Sequence, residues 1–304
     1  MSEPRRRRSA IVAEVVRAQR LSASMVRVVL GGPGLAQFQA SPYADSYVKV
    51  VFVHPDMPRP LPLTTDGRVD VDGVRDAGPP EQAPRMRSYT VRAFDEVSHE
   101  LTLDFVVHGD EGLAGPWADA AVAGDQLLLM GPGGAWSPDP AASYHLFAAD
   151  ASALPAVAVA LERLLPDARG HAFVEVPGPQ DEIALTAPAG VEVVWVHQGH
   201  EAPGRRLVEA VRTMPWPDEG DQDGAENGAD HGGADRSGAL QAFVHGEAGA
   251  VKELRRYLRL ERGMGLERLS ISGYWRLGVD DEGWRAGKRE WNAGIEQAEA
   301  TRAR

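Results

Sequence analysis

Apolar and polar positions alternate with a period of two through the first half of the chain. Segments 11–18, 25–30, 47–53, 88–93, 101–107 and 126–130 are short, rich in Val and aromatic residues, and separated by Gly, Pro and Asp turns. This pattern predicts β-strands, and several at such spacing predict a small antiparallel barrel. One helix interrupts them, starting after Gly112 and running through Trp117, Ala118 and Ala121. From Tyr144 the rhythm changes. Segments 144–149, 171–176, 191–196, 240–244 and 269–274 read as strands. Helices are predicted over 156–165, opened by Leu154 and Pro155, and over 248–262. Strands alternating with helices predict a parallel sheet with helices on its faces. The predicted fold is thus an antiparallel β-barrel over residues 11–138 followed by a parallel-sheet α/β domain over 139–279. A helical extension follows over 280–304, with Trp284 and Trp291 seven apart on one helix face, placed to dock on the body.

A length of 304 residues suits two domains better than one. Hydrophobic residues at 43% and charged residues at 25% are those of a globular protein with real cores. The absence of Cys removes disulfides, thiolate metal sites and cysteine nucleophiles together, and suits a reducing cytoplasm. The balance of 44 acidic against 32 basic residues, net −12, argues against nucleic acid as a partner. Part of that charge sits in segment 218–238, which is acidic, Gly-rich and nearly free of large apolar side chains, and reads as a disordered insertion. Residues 1–10 carry Arg5 to Arg8. Glu14, Arg17, Gln19 and Arg20 interrupt any apolar run behind them, so this is read as a solvated basic tail rather than a leader. No stretch reaches the run of about 20 apolar residues that a membrane span needs.

Five segments could carry chemistry. Arg87, Ser88, Tyr89 and Thr90 open a strand; the guanidinium pairs with phosphate, the phenol ring offers a stacking face, and the hydroxyls bond ring nitrogens. Arg92 adds a second charge. The run from Asp104 to Ala118 is strand, Gly-rich loop, then helix start, where free backbone N–H groups suit a pyrophosphate. The segment 131–134, GPGG, is either a tight turn or a place where a ring passes close to the backbone. Asp150 to Ala156 and His245 to Glu247 lie at the carboxyl ends of predicted parallel strands, where open α/β sheets bind ligands. There is no G-x-G-x-x-G, Walker loop, G-x-S-x-G elbow or H-E-x-x-H, so a protein-held metal is not expected.

Taken in order, RSYTVR, DFVVHGDEGLAGPWA, GPGG, ADASALPA, VHGEAGAVKELRRYLR and SGYWRLG resemble the siderophore-interacting protein family. These are flavin-dependent ferric-siderophore reductases related to ferredoxin–NADP reductase. The resemblance spans residues 11–291 apart from the acidic insertion. It implies FAD held by Arg87, Ser88, Tyr89, Thr90, Phe105, Val106, Val107, His108, Leu113, Ala114, Gly115 and Trp117. Tyr89 and Thr90 would tune the flavin, with no essential acid or base. It implies NAD(P)H held by Asp150, Ser152, Ala153, Gly246 and Glu247, and a ferric siderophore met by Lys49 and Arg276. Lys288 and Arg289 are weaker candidates for the same role.

The chain departs from the family pattern in places. ADASALPA stands where the family has GDETALPA, His245 replaces a small residue, and GPGG lacks an Arg. The helical extension over 280–304 resembles that of a subgroup of the family, which makes ferredoxin a second candidate donor. The competing readings are a flavoprotein serving a protein acceptor and a siderophore binder without redox chemistry. A monomer is expected.

Overall fold

In the computed structural model, which describes residues 7–108, 112–217 and 240–302, the chain divides between Ser137 and Pro138 into two units. The first contains β1 (Ser9–Ser22), β2 (Met25–Gly31), β3 (Tyr47–Phe52), β4 (Val69–Asp70), α1 (Val71–Asp76), β5 (Arg85–Asp95), β6 (Glu100–Val106), α2 (Ala114–Ala120) and β7 (Gln126–Gly133). The strands run antiparallel in the order β2-β6-β5-β3-β7-β1, and β1 pairs back onto β2. Closure leaves these six strands without a free edge. The period-two pattern sends Val28, Leu30, Val48, Val50, Leu101, Leu103, Phe105, Leu127 and Leu129 inward. Ala114 and Ala118 of α2 close one side of that core.

Three features of this unit differ from the sequence expectation. β4 and α1 arise in a stretch with no clear period, where Val71 and Val74 pack with Val51, Met57 and Leu128 outside the barrel. Arg7 and Arg8 are not a solvated tail. Arg7 bonds the Asp70 carboxylate at 2.8 Å, and Arg8 donates its backbone N–H and Nε to Asp72 at 2.8 Å each. Those bonds hold the Asp72 carboxyl down at about 2. The segment GPGG does not turn the chain, since β7 continues through Gly133. Arg5, Arg6 and the acidic insertion lie outside the described residues.

The second unit contains β8 (Tyr144–Asp150), α3 (Leu154–Glu162), β9 (Gly170–Val176), β10 (Val191–His197), α4 (Arg205–Thr213), β11 (Leu240–Glu247), α5 (Ala248–Arg256), β12 (Leu269–Trp275) and α6 (Asp281–Arg302). Its sheet is parallel in the order β10-β9-β8-β11-β12. The order reverses beside β8, which puts the switch point of the sheet between β8 and β11. Leu207, Val208 and Val211 of α4 and Val251 and Leu254 of α5 join the same core. α5 is shorter than its sequence period suggests, because a wider π-type turn follows over Tyr257–Glu261. On α6, Trp284 is buried and meets Trp291 edge to face at 5.2 Å. Arg255 of α5 grips Glu299 of α6 through two bonds of 2.6 and 2.9 Å. Among the described residues, no helix is long and apolar enough to cross a membrane.

Candidate functional site

On the barrel, the register of β5 against β3 sorts the RSYT residues by face. Arg87 lies opposite Val50 and Tyr89 opposite Val48, so both share the inner parity of those core valines. Ser88 lies opposite Lys49 and Thr90 opposite Tyr47, on the outer parity. Tyr89 stacks obliquely on Phe105 at 4.1 Å, and Phe105 meets Trp117 at 5.6 Å. Tyr89 and Trp117 are only half-buried and keep part of their surface open, but Phe105 between them is fully buried in the barrel core, so it backs the group and offers a ligand no surface of its own. Arg87 is also half-buried, and its Nη1 donates to the Met86 carbonyl.

The other residues expected to hold FAD follow from β6 into α2. Val106 is half-buried and His108 exposed. Val107 is buried and donates its N–H to Ser24 O at 2.8 Å. The side chain of Ala114 belongs to the core, so Ala114 offers a ligand its backbone only. At Gly115 a Cβ would come within 3.2 Å of the Val106 carbonyl, which explains this glycine by helix–strand packing. Leu113, Ala114 and Gly115 start α2, where N–H groups lack intrahelical acceptors. A guanidinium, a half-open aromatic pair, the exposed Ser88 hydroxyl on the adjoining face and first-turn amides together form a donor set that fits a flavin dinucleotide, whereas Thr90 is buried.

The outer face of the same strands carries Lys49, half-buried between Ser88 on β5 and Met130 on β7. Beside it the Tyr47 ring covers Gly133, where a Cβ would sit 2.5 Å from Tyr47 Cζ. A ring does pass GPGG, and it is the protein's own. The chain leading into Tyr47 is pinned down: Asp45 Oδ1 accepts from the amides of Ala135 and Trp136 at 2.8 Å each. Tyr47 was not among the sequence candidates. Its signal was the side-chain-free Gly133, which pairs with it across strands.

In the second unit the residues expected to hold NAD(P)H converge on one buried carboxylate. Asp150 Oδ1 accepts from the Ser152 amide at 2.9 Å and its hydroxyl at 2.5 Å. Asp150 Oδ2 accepts from the Glu247 amide at 2.8 Å and from Trp275 Nε1 at 2.7 Å. Burial pushes the Asp150 carboxyl up, and the four donors pull it back. Gly246 has φ +145°, and a Cβ there would lie 2.5 Å from Asp150 Oδ2. Ala153 is fully buried. Glu247 caps α5 through Oε2 on the Ala250 amide at 2.9 Å and takes the Leu277 amide on Oε1 at 3.2 Å. Arg276 is exposed beyond this network.

Two further residues were missed in the sequence: Trp275, and Glu175 at the end of β9. Glu175 is buried and accepts from the amides of Gly204 and Leu207, which open α4. Burial raises its pKa, and the nearby Asp150 and Glu247 add to the rise. Carboxylates thus already occupy the N-termini of α4 and α5. α3 carries no such side-chain cap, but its start is not an open anion site: Pro155 has no N–H, and the amides of Ser152, Ala153 and Ala156 already bond Asp150 Oδ1, the Asp150 carbonyl and the Ala153 carbonyl.

Behind the edge, His245 stacks on Phe243 at 3.8 Å and bonds Ser270 Oγ at 2.9 Å. Lys288 is half-buried and reaches Ser272 Oγ at 2.9 Å. Burial, helped by the Lys288 charge, lowers the His245 pKa from 6.5 to about 3. A base held neutral in the folded state costs stability as acid charges it in the unfolded state. Stability should therefore fall from pH 6.5 down towards about 3, by roughly 1.4 kcal/mol per pH unit from this residue alone. Urea unfolding of His245→Ala across this window should show a correspondingly shallower pH slope. An unchanged slope would contradict the assignment.

A closed antiparallel barrel followed by a parallel five-stranded sheet, with these donor sets, defines a flavoprotein of the ferredoxin reductase-like architecture. A ferredoxin NADP+ reductase from Neisseria gonorrhoeae shares that fold, with TM-score 0.56 at 12% identity over 88% of this chain and 99% of that one. The siderophore-interacting FAD-binding domain matches residues 14–136 and the siderophore-interacting protein domain residues 142–278. The chain belongs to the siderophore-interacting protein family.

An uncharacterised protein of Mycobacterium tuberculosis is 45% identical over 94% of this chain and 96% of its own length. The ferric vibriobactin reductase of Vibrio cholerae is 32% identical over 89% of this chain and 91% of its own length. The crystal structure of a siderophore utilization protein from T. fusca has TM-score 0.72 and 34% identity over 90% of this chain and 94% of that one.

Proposed function

We propose that the chain is an FAD-dependent ferric-siderophore reductase that takes electrons from NAD(P)H and releases iron as Fe(II). The observation that carries this reading is the two-faced β5 segment. Arg87 and Tyr89 share one face, and Ser88 and Thr90 share the other with Lys49. A bound FAD would supply the chemistry that connects a two-electron hydride donor to a one-electron metal. The chain's own residues bind and orient. Arg87 would pair with the diphosphate and Tyr89 would support the ring, while Thr90, buried on the other strand face, would tune the flavin through its hydroxyl or its amide. Lys49 meets the anionic ferric chelate, which an acidic protein otherwise repels. No proton transfer by a side chain is required. Hard oxygen ligands hold Fe(II) less firmly than Fe(III), so reduction frees the metal.

Anaerobic turnover with a ferric catecholate, with Fe(II) trapped by a chromogenic chelator, tests the proposal. Lys49→Ala should raise KM for the chelate roughly tenfold, the low end expected for one charge-assisted contact, with FAD content unchanged. Equal loss of FAD would assign Lys49 to the flavin instead. Turnover with cytochrome-type acceptors but not with the chelate would favour a protein-to-protein electron carrier.

A further inference from the structure

Asp150 does more than tie three strand ends together; it sets which hydrogen-bonding sense the sheet edge presents. Ser152 and Trp275 are both half-buried, so each keeps part of its surface open. Each has one side-chain proton to give, and both give it to Asp150, at 2.5 and 2.7 Å. A hydroxyl whose proton is committed offers only its lone pairs, and an indole whose N–H is committed offers only its ring faces. Glu247 gives its amide to Asp150 as well, while its buried carboxylate is held by the Ala250 and Leu277 amides. Asp150 itself is buried, and its carboxylate lies so close to Gly246 that no side chain fits between them. It therefore acts through these neighbours.

We infer that Asp150 is a positioning residue that turns Ser152 into an obligate acceptor and Trp275 into a stacking face, so that this edge selects a planar ring carrying an N–H donor, the primary carboxamide of nicotinamide. The inference rests on the reading of NAD(P)H as donor and adds how its ring is recognised. It also changes the place of Asp150 and Gly246, from expected nucleotide contacts to the frame that orients Ser152.

The test uses the full chain loaded with FAD and calorimetric titration with oxidised NAD+ and NADP+. Each is compared with its 3-acetylpyridine analogue, in which a methyl ketone replaces the carboxamide. The wild type should prefer the carboxamide about tenfold, the size of one buried hydrogen bond. Ser152→Ala should bring the two ligands within twofold of each other. Asp150→Ala should do the same by removing the acceptor that holds the Ser152 proton, while Trp275→Leu should weaken both ligands equally and Trp275→Phe neither. Ser152→Ala keeps the test decisive if Asp150→Ala fails to fold.

Equal affinities in the wild type, a preference that survives Ser152→Ala, or no dinucleotide binding at all would each overturn the inference. Selective binding without bleaching of the flavin by the reduced nucleotide would leave the inference standing and remove NAD(P)H as donor.

Discussion

Arg87→Ala is expected to purify largely without FAD. The guanidinium is the one side-chain cation on the inner-parity face of the RSYT segment, beside the half-open Tyr89 and Trp117, which Phe105 backs. Charge-assisted hydrogen bonds to a phosphate contribute about 1.5–3 kcal/mol, so affinity should fall roughly 10- to 100-fold. The barrel should survive. Arg87 is only half-buried, and the Met86 carbonyl that its Nη1 bonds belongs to the adjoining residue. Arg87→Lys should recover part of the loss, because an ammonium keeps the charge without the planar fork. Flavin absorbance per folded chain after gel filtration measures the effect. Full FAD occupancy in Arg87→Ala would refute the role.

Gly246→Ala is expected to destabilise the second unit by about 2–4 kcal/mol, the sum expected for a strained φ and a displaced buried hydrogen bond. The backbone at φ +145° already disfavours an L side chain. The added methyl would also lie 2.5 Å from Asp150 Oδ2, an oxygen that holds the Glu247 amide and the Trp275 indole. No flexible side-chain end is available to give way, since that carboxylate is tied on both oxygens. Urea unfolding followed by tryptophan fluorescence would read the loss. A change under about 1 kcal/mol, the range of an ordinary surface substitution, would mean that the Asp150 network yields easily.

Much of the architecture was legible because two periods are plain in the chain. Alternating Val and Leu in 25–30 and 101–107 predicted barrel strands, and these are β2 and β6. The acidic cap of α1 and the three apolar positions of α4 were too short a signal among Pro, Gly and charged neighbours. The motif segments located the candidate site but not the work of each residue. RSYT does not reveal that Tyr89 and Thr90 face opposite ways, because that depends on the register with β3. Glu175, Trp275 and Tyr47 were missed for one physical reason: each acts across the sheet on residues distant in sequence. Glu175 serves Gly204, Trp275 serves Asp150, and Tyr47 covers Gly133. A lone acid, indole or phenol at a strand end carries no local spacing to read.

The central claim is that this chain carries FAD, is reduced by a nicotinamide nucleotide and passes electrons to siderophore-bound iron. Its most direct test is the visible spectrum of the purified protein during anaerobic addition of NADH, then NADPH, then a ferric catecholate. The account predicts flavin bands near about 375 and 450 nm, the signature of an oxidised flavin cofactor, bleaching with one nucleotide and returning as Fe(II) forms. Bands that bleach only with reduced ferredoxin would replace the donor and keep the rest. A colourless protein that takes up no added FAD would contradict the account.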